Sequence, residues 1–149
     1  MIGIKIDQAK GMFFDAPKIV RSVDAATRRV LAKFGAFVRT AAKSSIRKRK
    51  KASVPGSPPS SHTGLLKKFI YFGYDATKRS VVIGPARLNS TAGTAPEALE
   101  YGGTSRITTY RREKRTTVSA KIATRPFMRP ALAKELPKLP AMWTNSVKP

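Results

Sequence analysis

Hydrophobic residues in the first third of the chain recur at the spacing of an amphipathic helix. They follow one another at mostly three- and four-residue steps: Ile19, Val23, Ala26, Val30, Phe34, Phe37, Ala41 and Ile46. This spacing places them on one face of a helix. Asp15 and Pro17 mark its start, because Asp caps free N–H groups and Pro is tolerated in the first turn. The pattern predicts one helix to about Lys50, with close packing or a bend at Gly35.

Shorter patterns farther along the chain predict β-structure. Alternation over Met1–Asp7 predicts a short strand. Phe69–Tyr74 and Ser80–Ile83 are rich in β-favouring residues and flank a turn, which predicts a hairpin. A second hairpin is expected from Ile107–Tyr110 and Val118–Ile122, with a charged arm tip between them.

Two further helical segments are predicted toward the C-terminus. Pro96–Tyr101 has the composition of a single helical turn that ends at a glycine. A terminal helix follows Pro130, and its expected apolar stripe consists of Leu132, Leu136, Leu139 and Trp143. Pro137 and Pro140 interrupt this helix, so it is kinked or divided into two short helices.

These elements predict an α+β fold. The long amphipathic helix and the kinked C-terminal helix pack on a small, mostly antiparallel sheet, from which a basic β-hairpin arm extends. The chain of 149 residues is expected to form a single domain. Residues 52–62 are rich in proline and serine, and they predict a flexible, exposed loop within it.

The charge of the chain indicates a negatively charged partner. Thirty Lys and Arg against eight Asp and Glu give a formal net charge of +22. Such a surface repels its own copies unless nucleic acid or an acidic protein lies nearby. The residues expected to contact that partner are Arg47, Lys48, Arg49, Lys50 and Lys51 after the helix, and Arg111, Arg112, Lys114 and Arg115 on the arm. No stretch approaches the ~20 apolar residues of a membrane helix, so no membrane partner is expected.

The sequence offers little material for catalysis. It has no cysteine, and its one histidine, His62, lies in the Pro/Ser loop. Glu97 and Glu100 could share a helical face as an acid–base pair, but capping carboxylates have the same spacing. No phosphate-binding loop motif is present. We therefore expect no catalytic, cofactor or metal site, and no enzyme.

Aromatic residues beside Lys67 and Lys68 allow two interpretations. Phe69, Tyr71, Phe72 and Tyr74 could offer a platform on which nucleic-acid bases stack. Because both faces of the Phe69–Tyr74 strand are apolar, a strand covered by helices on one side and by another subunit on the other explains the pattern better.

An ordered set of segments resembles a family of tailed-phage proteins. The segments are HTGLLKKFIYF, VVIGP, PEALEYGGT and RPFMRPAL with the trailing ELPKLPAMW, and they cover about Pro55 to Val147. Together they are similar to the neck or tail-completion minor tail proteins of long-tailed phages, loosely akin to the lambda tail protein Z. This chain departs from that family in its high charge and its long ITTYRREKRTTVSAKIA arm.

The resemblance implies a structural virion protein, made in the host bacterial cytoplasm. It implies a homo-oligomeric ring around the DNA channel at the head–tail junction, six-fold in preference to twelve-fold. The ring's partners would be head-joining and tail proteins, with non-specific DNA contact. Fold and assembly positions carried over by the resemblance are Glu100, Tyr101, Gly102, Arg125, Pro126, Phe127, Arg129, Pro130 and Trp143. The alternative is a basic nucleic-acid-binding protein of ribosomal or nucleoid type.

Overall fold

The computed structural model describes residues 16–86, 95–111 and 114–147, so the predicted strand at Met1–Asp7 and the Asp15 cap lie outside the described residues. The helices are α1 (Ala16–Ser45), α2 (Leu65–Lys68), α3 (Ala95–Tyr101), α4 (Met128–Glu135) and α5 (Leu139–Trp143), with a 3₁₀ turn at Leu136–Lys138. The strands are β1 (Arg47–Lys48), β2 (Ser60–Ser61), β3 (Ile70–Asp75), β4 (Ser80–Pro85), β5 (Gly103–Arg111) and β6 (Lys114–Ile122). The predicted α+β class is confirmed.

Helix α1 is long and amphipathic, as predicted, but its buried face differs in two places. Its buried residues are Ala26, Val30, Phe34, Gly35, Val38 and Ala42, followed by Ile46 beyond the helix. Ile19, Val23 and Phe37, which were predicted to be on that face, are 40–48% exposed. From Phe34 onward the buried positions advance by four residues, whereas the predicted stripe advanced by three to Phe37.

The helix ends at Ser45, so the prediction that it continues to about Lys50 is wrong. Ser44 and Ser45 donate hydroxyl hydrogen bonds to the carbonyls of Ala41 (2.9 Å) and Ala42 (2.8 Å). Such bonds compete with the backbone ladder. Burial of Ile46 then anchors the chain, and Arg47–Lys48 pairs in parallel with Ser60–Ser61. The basic run therefore lies in an extended segment and does not complement a helix dipole.

Gly35 is a point of close approach between α1 and the hairpin formed by β3 and β4. A Cβ atom at this position would lie 2.8 Å from Val81 Cγ2 and 2.9 Å from Phe72 Cδ2. The hairpin pairs antiparallel, with Phe72 opposite Ile83 and Tyr74 opposite Val81. The predicted hairpin and the predicted close packing at Gly35 are both confirmed.

The C-terminal segment is divided by its prolines, as predicted, into α4, the 3₁₀ turn and α5. Its predicted stripe is largely wrong, because Leu132, Leu136 and Trp143 are 37–50% exposed. Leu139 alone of the predicted stripe packs against the core, and the other core-facing residues, Met128, Ala131 and Met142, lie on an adjacent face. Helix α4 makes its largest contact with α1, and this contact decides which phase is buried.

The second hairpin is longer than predicted. It runs from Gly103 paired with Ile122 to Arg111 paired with Lys114, with Ile107 opposite Val118. Nine residues per strand span roughly 30 Å at about 3.3 Å per residue. Of the strand residues whose side chains are described, Ser105 is buried, and Ala120 and Ile122 are half-buried; the others are exposed. This arm projects from the body of the protein.

One core joins the long helix, the first hairpin and helix α4. Its buried members are Phe34, Val38, Ala42, Ile46, Ile70, Phe127 and Ala131. Phe127, at the entry to α4, is 1% exposed and is among the largest fully buried side chains of the described residues.

We predict that Phe127→Ala lowers the free energy of unfolding by about 3–5 kcal/mol, since it leaves a cavity where α4 meets the core. Chemical denaturation monitored by circular dichroism measures the change. Leu132→Ala, on the exposed side of the same helix, is the control and should cost far less. An unchanged stability for Phe127→Ala would refute the docking of α4 through this side chain.

Candidate assembly contact and basic surfaces

The carboxylate of Glu100 caps helix α4 from a distant part of the chain. Glu100 Oε2 accepts hydrogen bonds from the backbone N–H groups of Phe127 (2.9 Å) and Met128 (3.0 Å), and Oε1 accepts one from Arg129 (2.8 Å). The first N–H groups of a helix have no partner within the helix, and its N-terminus carries partial positive charge. Neither cap position of α4 supplies a side-chain cap of its own. Glu100 therefore performs that role from helix α3.

Arg125 ties three segments together beside this cap. Its backbone N–H donates to the carbonyl of Leu99 (2.6 Å). Its side chain donates through Nε to the carbonyl of Ser53 (2.9 Å) and through Nη1 to that of Ala123 (3.2 Å). Arg125 thus fixes helix α3, the Pro/Ser loop and the base of the arm against one another.

Two further contacts complete the arrangement. The Arg129 guanidinium lies over the Tyr101 ring, 5.3 Å from its centroid, within the range of a cation–π interaction. Gly102 has φ of +78°, and a Cβ atom there would lie 3.0 Å from Thr124 Cγ2. A side chain at this turn would be strained and crowded, which explains the glycine.

Two of the segments that carry the phage resemblance, PEALEYGGT and RPFMRPAL, thus meet in one contact, which we name the Glu100 contact. It consists of Glu100, Tyr101, Gly102, Arg125, Phe127 and Arg129. Pro126 is half-buried, and Pro130 is exposed and lines a neighbouring groove. Trp143 ends helix α5, 37% exposed, and takes no part in these bonds. The role of these residues in assembly stays a prediction.

The Pro/Ser loop is attached to the body more firmly than an exposed loop would be. Ser53, Pro59 and Ser61 are buried. The Gly56 N–H donates to the carbonyl of Thr124 (2.8 Å), in addition to the bond between Arg125 and Ser53. Its flexibility in the free subunit stays a prediction.

The predicted basic segment Arg47–Lys51 is exposed at all five positions. None of these five side chains forms an ion pair with a carboxylate of the described residues. Arg47 lines a groove of about 350 Å³ together with Ser44, Pro58, Pro130 and Lys134. The segment therefore presents unpaired positive charge beside the start of helix α4.

The structure describes only part of the predicted basic arm tip. Arg112 lies outside the described residues, and Arg111 and Lys114 are described through their backbone pairing alone. Arg115 is exposed. The hydrogen bonds that join the arm to the Pro/Ser loop lie at its base, at Thr124 and Arg125. No described contact brings Arg115 to the Arg47–Lys51 segment.

The described carboxylates leave most of the positive charge unneutralised. Asp24 pairs with Arg79 (3.1 Å) and Glu135 with Lys138 (2.6 Å). Asp75 accepts the N–H groups of its turn, and Glu100 caps helix α4. Glu97 is exposed in the first turn of α3. Both Glu100 oxygens accept backbone N–H groups, which agrees with the capping interpretation of the Glu97–Glu100 spacing.

The structure also brings together a second basic group that sequence reasoning did not assemble. Arg39 and Lys43 of α1 lie beside Lys67 and Lys68 of α2, next to the rings of Phe69 and Tyr71, and we call this group the basic–aromatic patch. Burial, followed by repulsion from Arg39 and Lys67, lowers the pKa of Lys43. The four-residue spacing of Arg39 and Lys43 and the Lys67–Lys68 pair were visible in sequence, but their proximity depends on how α1 packs on β3.

Comparison with known proteins adds no relative to this description. No protein-family model, curated protein or solved structure matches the chain.

Among the described residues, no three His, Cys, Asp or Glu side chains gather as a metal site requires. No helix in the described ranges is long and apolar enough to cross a membrane.

We predict that Glu100→Ala destabilises the protein by about 1.5–3 kcal/mol, the range for hydrogen bonds to a charged group. Glu100→Gln keeps one acceptor oxygen and should lose less. Glu97→Ala removes an exposed carboxylate from the same helix and is the matched control. Thermal and urea unfolding measure the order of the three variants. Equal stability of Glu97→Ala and Glu100→Ala would show that the cap contributes nothing.

Proposed function

We propose that this protein is a structural component of a tailed-phage virion, acting at the head–tail junction as a neck or tail-completion protein. The observation that carries the proposal is the Glu100 contact. The PEALEYGGT and RPFMRPAL segments are far apart in sequence, and the bonds of Glu100 to Phe127, Met128 and Arg129 join them into one unit. Two of the segments on which the resemblance rests are thus in contact in the folded chain.

The arm supports the oligomeric part of the proposal. A two-stranded hairpin alone is marginally stable in water. Thr116, Thr117, Val118 and Ser119 are consecutive and all exposed, so side chains on both faces of β6 meet solvent. A neighbouring subunit that covers one face would supply the missing packing. We propose that the arm packs against the neighbouring subunit in a ring, which is six-fold in preference to twelve-fold.

The unpaired charge supports a place beside DNA or acidic neighbours. Arg47–Lys51 is an exposed cationic segment, and the described carboxylates are largely engaged elsewhere. Around a ring such segments repel one another unless a polyanion lies between them. In the channel of a neck, contacts to phosphates would hold any DNA sequence, because phosphates carry no sequence information.

A nucleic-acid-binding protein of ribosomal or nucleoid type is the second candidate. The same unpaired charge favours it, and this role needs no ring. Oligomeric state separates the candidates, because the neck function requires a closed ring and the alternative is compatible with a monomer or dimer.

The deciding experiment is made in particles. If the chain is a neck component, deletion of its gene should yield filled heads and finished tails that remain unjoined in electron micrographs, and the wild-type gene should restore joining. Native mass spectrometry of the purified chain, alone and with the adjacent gene products, should show a ring. Normal joined particles after deletion, or a persistent monomer that binds DNA tightly, would overturn the proposal.

Replacing Arg47–Lys51 by glutamine tests which partner this segment meets. If it contacts DNA, the slope of log affinity against log salt should fall by about 0.9 for each phosphate that the segment no longer neutralises. If it contacts acidic neighbours, DNA binding should persist while subunits are released from particles. The matched control removes five exposed cations elsewhere, Arg28, Lys33, Lys78, Arg106 and Lys121. Equal effects of both replacements on binding and assembly would show that the segment has no special role.

A further inference from the structure

We infer that the basic–aromatic patch is a binding site for the phosphate backbone of nucleic acid, built from Arg39, Lys43, Lys67 and Lys68 on the rings of Phe69 and Tyr71. The patch is separate from the Arg47–Lys51 segment and from the arm. The geometry of the site carries the inference by itself. Only the identity of the DNA as phage DNA rests on the proposed function.

Backbone bonds hold two of the cations in place. Arg39 donates through Nε to the carbonyl of Ile70 (3.0 Å), and Lys43 Nζ donates to the carbonyl of Lys68 (3.3 Å). A guanidinium has five N–H donors, and within the described residues the terminal nitrogens of Arg39 make no further hydrogen bond. Two long side chains are thus partly ordered before any ligand arrives, which lowers the entropic cost of binding.

The aromatic rings support the ammonium groups. Lys43 Nζ lies 5.9 Å from the centroid of the Tyr71 ring, and Lys68 Nζ lies 5.8 Å from that of Phe69. The two rings contact each other at 6.4 Å in a tilted arrangement. Tyr71 remains 47% exposed, so this surface is open to solvent.

The position of the ammonium groups distinguishes phosphate contact from base stacking. A base stacks on an aromatic ring through a free face, whereas a lysine lies near a face of each of these rings. The rings therefore form an apolar surface beneath the ammonium groups. This surface strengthens the electrostatic attraction between the cations and an anionic ligand. This arrangement favours a ligand with oxyanions over one with planar bases.

No carboxylate in the part of the chain that the structure describes forms an ion pair with the patch. The ion pairs of the described residues lie elsewhere, at Asp24–Arg79 and Glu135–Lys138. Asp75, on the same strand as Tyr71, accepts the N–H groups of Thr77 and Lys78 at the far turn. Burial, together with repulsion from Arg39 and Lys67, lowers the pKa of Lys43. An oxyanion between these cations would relieve that repulsion.

The outer face of the first hairpin gives a ligand room to approach. Tyr71 lies opposite Gly84, and Gly73 lies opposite Val82. A Cβ atom at either glycine would have no neighbour within 4 Å. The surface beyond Tyr71 is therefore low and open, and an extended backbone of alternating sugar and phosphate can lie across it.

The test compares three variants of the full chain. Fluorescence anisotropy with a short labelled duplex of arbitrary sequence gives the slope of log affinity against log salt. The triple variant Lys43→Gln, Lys67→Gln and Lys68→Gln should lower the magnitude of that slope by about 2–3, at about 0.9 for each phosphate. Changing the same three lysines to arginine keeps their charge, so this variant should show the slope of the wild type. The control Lys33→Gln, Lys78→Gln and Lys121→Gln also removes three lysines, one of which, Lys33, lies over the Phe37 ring of α1.

Several results would overturn the inference. If the control lowers the slope as much as the patch variant, the binding is a general charge effect. If Tyr71→Ala selectively weakens binding of a single-stranded oligonucleotide, the ring stacks bases, and a phosphate site is wrong. If polyglutamate displaces duplex from the wild type as effectively as polyphosphate of equal charge, the surface is a dock for acidic protein. If melting curves show that the triple glutamine variant is unfolded, Lys67→Gln and Lys68→Gln, at two exposed positions, are tested without the Lys43 change, and the magnitude of the slope should fall by about 2. Failure of this test leaves particle joining unaffected, so the neck proposal is judged separately.

Discussion

The placement of one carboxylate organises the second half of the molecule. Helix α4 begins without a cap of its own, and Glu100 satisfies three of its backbone N–H groups. This bond sets where Phe127 enters the core and therefore how α4 lies against α1. Arg125 then connects the same region to the Pro/Ser loop and the arm. In a chain with so few acids, losing one carboxylate here would affect four segments at once.

The large-scale architecture was predictable because local patterns and tertiary packing agree. The helical spacing of apolar residues predicted α1, and aromatic and β-branched runs around a turn predicted the first hairpin. Close packing at Gly35 was predicted because an interior glycine weakens a helix, and the absence of a side chain lets a neighbouring element approach. The prolines at 137 and 140 likewise predicted a divided C-terminal helix.

The incorrect predictions of buried residues have a common physical cause. The spacing of apolar residues on α1 permits both a step of three to Phe37 and a step of four to Val38, and packing chooses the second. Leu132, Leu136 and Trp143 were expected in the core because their spacing fits one continuous helix, whereas the contact of α4 with α1 turns the adjacent face, with Met128 and Ala131, toward the core. The spacing of Glu97 and Glu100 allowed a capping role, and the resemblance gave Glu100 as a fold position, but neither predicted that Glu100 caps α4. Nothing local to Glu100 reveals that its partners lie 27–29 residues away.

The folding of the exposed arm depends on protein concentration. Each strand of the arm is nine residues long, and its described side chains meet mostly solvent, so much of its stability has to come from outside the subunit. Binding of a partner orders a segment of this kind by mass action. If a partner covers the arm, a higher concentration of that partner would increase the fraction of subunits in which the arm is ordered.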